Sequence, residues 1–339
     1  MKRTSRRHFL QGSLTLAGLG WLAGCVPPRL PWQGLQPTRA VRIGWLSVAA
    51  PGPTTSPLVE ALRQGLREHG WVEGQNLAIE ERWAAGQFDR LPALAAELIR
   101  LPVDLLVTGN PPATKAAKQA TATVPIVMTF SGDPVGTGFV ASLAHPDGNI
   151  TGLATLSPTL STKRLSLLTE AIPRVSRVAV LWNAADPEKA TDITATAGAA
   201  RTVGVEMQSL EVRGPEQFGA AFDAAVSGHA DALIALHDPL VHVHRARVAE
   251  LAATHRLPTM YDLREYVADG GLLAYGPNLI SLHRQAAYFV DRILTGAKPA
   301  ELPVEQPTTF EFVINLQTAQ ALGLTLPESV LQQATEVVQ

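Results

Sequence analysis

From Val41 onward, short apolar runs alternate with amphipathic stretches, and this alternation constrains the fold more than any other feature of the chain. A strand reads as a nearly unbroken apolar run when helices cover both faces of its sheet, so the pattern implies parallel, doubly wound α/β layers. Val41 to Leu46, Asn76 to Trp83, Val103 to Thr108 and Pro125 to Thr129 are the expected strands of the first half. Between them, Ser56 is placed to cap a helix with Pro57 at its first position. Leu58, Leu62 and Leu66 recur along one face of that helix before Gly70 stops it. Asp89 to Arg100 and the stretch holding Ala113, Ala116, Ala117 and Ala120 supply two further helices.

After the glycine-rich stretch Asp133 to Gly138 and the turn His145-Pro146-Asp147-Gly148-Asn149, the alternation restarts. Val178 to Trp182, Val205 to Val212, Ala232 to Leu236, Pro258 to Met260 and Gly271 to Tyr275 read as strands of a second sheet. Helices are expected from Asp186 to Val203 and near 215–227, 240–254 and 279–295. Two halves of similar pattern imply two similar lobes, and no short repeat period points to a solenoid.

The N-terminus carries a different signal. Lys2, Arg3, Arg6 and Arg7 precede an apolar run from Gly12 to Trp21, which is well short of the ~20 residues that span a bilayer. Ser5-Arg6-Arg7-His8-Phe9-Leu10 resembles a twin-arginine export signal, and Leu22-Ala23-Gly24-Cys25 resembles the cleavage box of a lipoprotein. Residues 1–25 are therefore expected to be a signal ending at Cys25, the acylated residue. Residues 26–40, rich in proline, are expected to be a tether. An exported, membrane-anchored protein, periplasmic or at the cell surface, is the resulting expectation. Cys25 is the only cysteine, which excludes an intrachain disulfide and a cysteine-built metal site. The formal charge of −2 becomes more negative by four if the basic first 24 residues are removed. A nucleic-acid partner is not expected of such a body.

Several ordered motifs, read together, resemble one family. They are Arg42-Ile43-Gly44, Gly70-Trp71-Val72-Glu73-Gly74-Gln75-Asn76, Gly132-Asp133-Pro134-Val135-Gly136-Thr137-Gly138, Val140-Ala141-Ser142-Leu143-Ala144 and Gly148-Asn149-Ile150-Thr151-Gly152-Leu153. Leu302-Pro303-Val304-Glu305-Gln306-Pro307 and Val313-Ile314-Asn315-Leu316 extend the match toward the C-terminus. The chain resembles the extracytoplasmic substrate-binding proteins of ABC transporters, in the group with tryptophan- and tyrosine-type receptors. The resemblance implies a type I periplasmic-binding fold, in which two α/β lobes are joined by a three-strand hinge and close on a ligand. Residues 41–152 plus 277–305 would form lobe 1 and residues 153–276 plus 306–339 lobe 2. The crossings would fall near 150–156, 274–278 and 304–309. It also implies a small-molecule ligand, an amino acid or related carboxylate, with an ABC permease and its ATPase as partners. The receptor would be a monomer, without cofactor or metal. Signalling to a membrane sensor is the alternative use of the same fold.

Ligands of open parallel sheets sit beyond the carboxyl ends of the strands. That rule selects Ser47, Thr108, Gly109, Asn110, Phe130 and Asp133 from the first lobe and Trp182, Asn183, His237, Asp238 and Tyr275 from the second. Asn110 precedes Pro111-Pro112. Either it is an N-cap, or the helix start that it opens binds a carboxylate. Asp133 either holds a ligand ammonium or organises its own turn. Trp182 and Tyr275 would offer aromatic faces to the ligand.

Enzyme signatures are sparse. The chain has no Gly-x-Ser-x-Gly and no His-Glu-x-x-His, and it lacks a phosphate-binding loop. His237, Asp238, His242 and His244 form the one cluster with the look of a metal or catalytic site. With Pro239 starting a helix, however, His242 and His244 would diverge. Asp133, Asp238 and Asp262 are the residue types of a carboxylate hydrolase, with nothing in their spacing to favour it. No catalytic residues are assigned.

Overall fold

The computed structural model describes residues 40–52, 55–155, 157–186 and 189–339. The signal, Cys25 and the tether up to residue 39 lie outside the described residues. The first lobe opens with β1 (Val41–Ser47), α1 (Ser56–Glu68), β2 (Leu77–Trp83), α2 (Leu91–Arg100), β3 (Leu105–Thr108), α3 (Pro111–Ala120), β4 (Ile126–Met128) and β5 (Ile150–Gly152). The chain then forms α4 (Ser157–Ala171), β6 (Arg177–Asn183), α5 (Lys189–Val203), β7 (Glu206–Val212), α6 (Phe218–Ser227), β8 (Ala232–Ala235), α7 (Pro239–Val243) and α8 (Arg245–Thr254). It ends with β9 (Thr259–Tyr261), α9 (Arg264–Ala268), β10 (Leu273–Pro277), α10 (Leu279–Leu294), β11 (Phe310–Asn315), α11 (Leu316–Leu322), α12 (Glu328–Leu331) and β12 (Glu336–Val338).

The five strands of the first sheet run in the order β2-β1-β3-β4-β5, all parallel. Ile43, Leu105, Leu106, Val107, Ile126 and Val127 are fully buried, as strands covered on both faces must be. The second sheet has the order β12-β11-β10-β9-β8-β6-β7. Its pairs are parallel except β10 with β11, which are antiparallel from Leu273↔Ile314 to Pro277↔Phe310. The lobes are the expected doubly wound α/β layers, with this one antiparallel pair in the second sheet. The physical reason is the route of the chain: β11 is entered from the side on which β10 ends, so it runs back along its neighbour.

Three passages connect the sheets. Beyond Gly152 the chain leaves β5, with Leu153 bridged to Glu305 and the Ala154 amide donating to the Glu305 carbonyl at 2.8 Å. Next, α4 packs on α5, β9 and β10 of the second lobe. The second passage follows β10, where Asn278 caps α10 by accepting from the Ser281 amide at 2.9 Å. Helix α10 lies against α1. A Cβ at Gly65 would collide with the Arg284 carbonyl, so glycine is what allows the two backbones this approach. The third passage runs from Glu305 to β11, and the C-terminal strands β11 and β12 complete the second sheet.

Local differences from the sequence reading have local causes. The N-cap of α1 is Thr55, which places Ser56 and Pro57 inside the first turn. The expected helix at 240–254 is two helices that meet at His244. Helix α4 had no counterpart in the pattern. Its buried face holds Ser161 and Arg164 beside Leu160, Leu165, Leu167 and Leu168, so the apolar stripe that marks a surface helix is interrupted by polar residues. Among the described residues, no helix is long and apolar enough to cross a membrane.

Candidate functional site

Among the described residues, both lobes contribute to the lining of two spaces. The wider is a cavity of 960 Å³. Its lining residues follow the carboxyl ends of β2 (Gly86), β3 (Pro111) and β4 (Asp133) in one sheet, and of β6 (Asn183), β7 (Arg213) and β8 (Leu240) in the other. The smaller is a chamber of about 10 Å³, the size of a single water, bounded by Phe130, Thr155, Arg164, His237, Asp262 and Pro277 among others. Phe130 meets the His237 ring edge-on across the lobes, with centroids 5.3 Å apart.

On the first-lobe side, most of the predicted side chains are occupied within their own lobe. Asn110 Oδ1 accepts from the Ala113 amide at 3.2 Å, and its Nδ2 donates to Ser47 Oγ at 2.9 Å. Pro111 and Pro112 have no amide hydrogens, and the Ala113 amide is the one that Asn110 takes. The first turn of α3 therefore has no amide left for a carboxylate, which corrects that reading of Asn110 and leaves the capping one. Thr108 Oγ1 pairs with Thr114 Oγ1 at 2.7 Å in full burial. Gly109 gives room to the Trp45 ring, which a Cβ there would meet at 2.7 Å. Asp133 Oδ1 accepts from the Gly136 amide at 2.8 Å, an Asx turn, while the residue also lines the wide cavity.

The second-lobe side is different in kind. Asn183 Nδ2 lies 3.2 Å from both oxygens of Asp238, whose Oδ1 also accepts from the Leu240 amide at the start of α7. Burial, partly offset by Lys189 and reinforced by Asp186, pushes the Asp238 carboxyl up to about 6. His237 Nδ1 is hydrogen-bonded to Asp262 Oδ2. Burial would raise the Asp262 carboxyl, but His237 and the nearby Arg164 hold it below the ordinary carboxylate range. Arg164 is itself 2% exposed, and its Nε donates to the Tyr275 carbonyl at 2.7 Å.

Trp182 and Tyr275 line neither space, which corrects the expected aromatic cover. Alternation along β6 turns Trp182 to the same face as Val178 and Val180, where its Nε1 donates to Ser209 Oγ at 2.8 Å. Tyr275 stacks on Phe310 at 5.9 Å. The histidine cluster also disperses. His242 packs against Tyr266, its imidazole pushed down to about 4 by burial, whereas His244 packs against Phe218. Among the described residues, no group of three His, Cys, Asp or Glu side chains could hold a metal ion.

Arg164, Thr155, Lys189 and Arg213 were absent from the sequence-derived set, and Asp262 entered it only as one of three carboxylates. Asp262 follows a strand, so the rule that selected His237 would have found it. Arg164 sits mid-helix, and only its burial marks it.

A family model described as ABC transporter substrate binding protein matches residues 46–338. A curated relative, the tyrosine-binding protein of Clostridioides difficile, is 24% identical over 273 residues, covering 80% of this chain and 78% of the relative. A solved conserved domain protein of Vibrio cholerae has a TM-score of 0.83 and 27% identity, over 88% of this chain and 100% of that one. An ABC domain from Streptococcus pneumonia, solved in complex with L-Trp, also has a TM-score of 0.83, at 24% identity and the same coverage.

Proposed function

The chain belongs to the ABC transporter substrate-binding protein family, and from that premise we propose that it captures an amino acid between its lobes, an aromatic one first among candidates, for delivery to an ABC permease. The observation that carries the reading is the contact of Phe130 with His237 from opposite lobes, together with a 960 Å³ cavity to which both lobes contribute lining residues. Rings that meet directly when the lobes are together are positioned to sandwich a flat side chain when one is present. The tyrosine named for the curated relative and the L-Trp in the streptococcal complex support the aromatic choice.

Closure follows from differential affinity. A ligand that touches both lobes stabilises the closed arrangement over the open one, and the closed surface is the one a permease would read. ATP hydrolysis belongs to the partner ATPase, since this chain has no phosphate-binding loop in its sequence. Export by the twin-arginine signal and acylation at Cys25 would hold the receptor beside its permease outside the cytoplasm. The signal sequence Arg6-Arg7 and the box Leu22-Ala23-Gly24-Cys25 support that location.

A thermal-shift panel of the twenty amino acids, sugars and nucleosides tests the ligand class. A ligand at 100 times its Kd adds about 2.7 kcal/mol of stability, a shift of several degrees. The expected result is a rise in Tm with aromatic amino acids. A rise with sugars or nucleosides alone would refute the amino-acid reading.

A further inference from the structure

The chamber beside Phe130 and His237 holds two charged groups whose hydrogen-bonding capacity is not used up. Among the described residues, the Arg164 guanidinium makes one hydrogen bond, from Nε to the Tyr275 carbonyl, and both terminal nitrogens are left for another partner. Gly276 lies against both residues: a Cβ there would collide with the Asp262 carbonyl and touch one Arg164 terminal nitrogen at 3.4 Å. Asp262 is 1% exposed; its Oδ2 is engaged by His237, while the buried Oδ1 has no partner. Burying an ionised oxygen without a donor is costly, and native structures seldom leave one so. Both residues line the chamber, Arg164 from α4 and Asp262 from the loop after β9.

A planar guanidinium matches a carboxylate, and an unpaired carboxylate oxygen matches an ammonium. An α-amino acid carries these two groups on one carbon. We propose that Arg164 and Asp262 form the subsite for the ligand's zwitterion, Arg164 donating to the α-carboxylate and Asp262 Oδ1 accepting from the α-ammonium. The proposal rests on the amino-acid reading above and specifies where that ligand is held. The first lobe offers no equivalent, because the start of α3 is closed by two prolines and the Asn110 cap. Lys115, Lys118 and Arg213, which also line the wide cavity, are exposed.

The geometry also orders the steps of binding. At about 10 Å³ the chamber does not admit an amino acid while Phe130 and His237 touch. Because those rings belong to opposite lobes, opening the hinge parts them and uncovers Arg164 and Asp262. The ligand's side chain then points toward the wide cavity, whose lining includes Gly132, Asp133 and Leu240, close along the chain to the two rings. Reclosure places Phe130 and His237 against the side chain.

The test is titration of the full-length protein with L-tyrosine, L-tryptophan and the α-amide of each, in wild type, Arg164→Gln, Arg164→Lys and Asp262→Asn. Arg164→Gln should weaken binding of the acids about 100-fold, with Lys intermediate, and the wild-type preference for acid over amide should shrink to within about threefold. Asp262→Asn should weaken acids and amides together, since both keep the ammonium. An Arg164→Gln protein with wild-type circular dichroism that binds the acids within about threefold of wild type overturns the subsite. If that variant does not fold, the crystal structure of the wild-type complex decides. A ligand carboxylate within about 3.2 Å of an Arg164 terminal nitrogen supports the proposal, and one held by Lys115, Arg213 or backbone amides refutes it. A flat thermal-shift response to all twenty amino acids would instead sink the amino-acid reading, which separates the two failures.

Discussion

The two lobes meet the same cleft with opposite economies of polar groups. In the first, Ser47, Thr108, Asn110 and Asp133 stand where ligand contacts were expected, and each makes hydrogen bonds inside its own lobe. In the second, Arg164 and Asp262 are buried with terminal nitrogens and an oxygen unspent. The contrast teaches that position at a strand's carboxyl end does not make a residue a ligand contact. What counts is whether local structure has already used its hydrogen-bonding capacity.

The strongest way to break the contrast is at the glycines where the chain leaves each sheet. A Cβ at Gly152, whose φ is +132°, would collide with the Met128 carbonyl, and one at Gly276 would collide with the Asp262 carbonyl. Gly152→Val and Gly276→Val should each cost on the order of 3–5 kcal/mol in denaturant unfolding. Gly276→Ala brings the same Cβ against the Asp262 carbonyl and should also destabilise, so this position is read by stability and not by affinity.

Acid should separate the lobes next. His283 of the first lobe is fully buried, and burial pushes its imidazole down to about 4. Between about pH 4 and 6.5 the unfolded chain therefore binds this proton and the folded one does not. Stability falls as pH drops through that window, by at most about 3 kcal/mol. His242 of the second lobe has the same sign, but Asp238, raised to about 6, has the opposite one, because the folded protein holds its proton where the unfolded chain has lost it. Hydrogen exchange at pH 5 against pH 7 should show protection lost from β1 and α10 before β6 and β8. Asp238→Asn should remove the offset and make the second lobe as acid-sensitive as the first.

Asn110→Ala should cost about 1–2 kcal/mol through the lost cap of α3 and leave ligand affinity within about threefold of wild type. A larger loss of affinity would return the first lobe to the binding site. The smallest effect belongs to Trp182→Phe, which removes the bond to Ser209 and should cost about 1 kcal/mol, with no change in binding. Calorimetry of both variants checks the pair.

Much of this was legible in the residues themselves. The burial rhythm of Val41 to Leu46 and of Val178 to Trp182, together with the Asn110 and Asp238 caps, depends on neighbours a few positions away, and a pattern reader sees those. Helix α4 was not legible, since polar Ser161 and Arg164 stand on its buried face and break the apolar period. Trp182 was misread because strand alternation turns it to the helix-covered face, although the same alternation could have been counted from Val178.

Composition and periodicity alone determined that this chain builds layered α/β lobes, and the ordered motifs identified the family whose model it matches. Which charges face the cleft was decided by tertiary structure. Arg164 is one of many scattered basic residues until β9 and β10, about a hundred positions away, set Asp262, Tyr275 and Gly276 beside it. Secondary structure follows short-range pattern, whereas the state of a buried charge depends on which distant groups the fold brings within hydrogen-bonding reach.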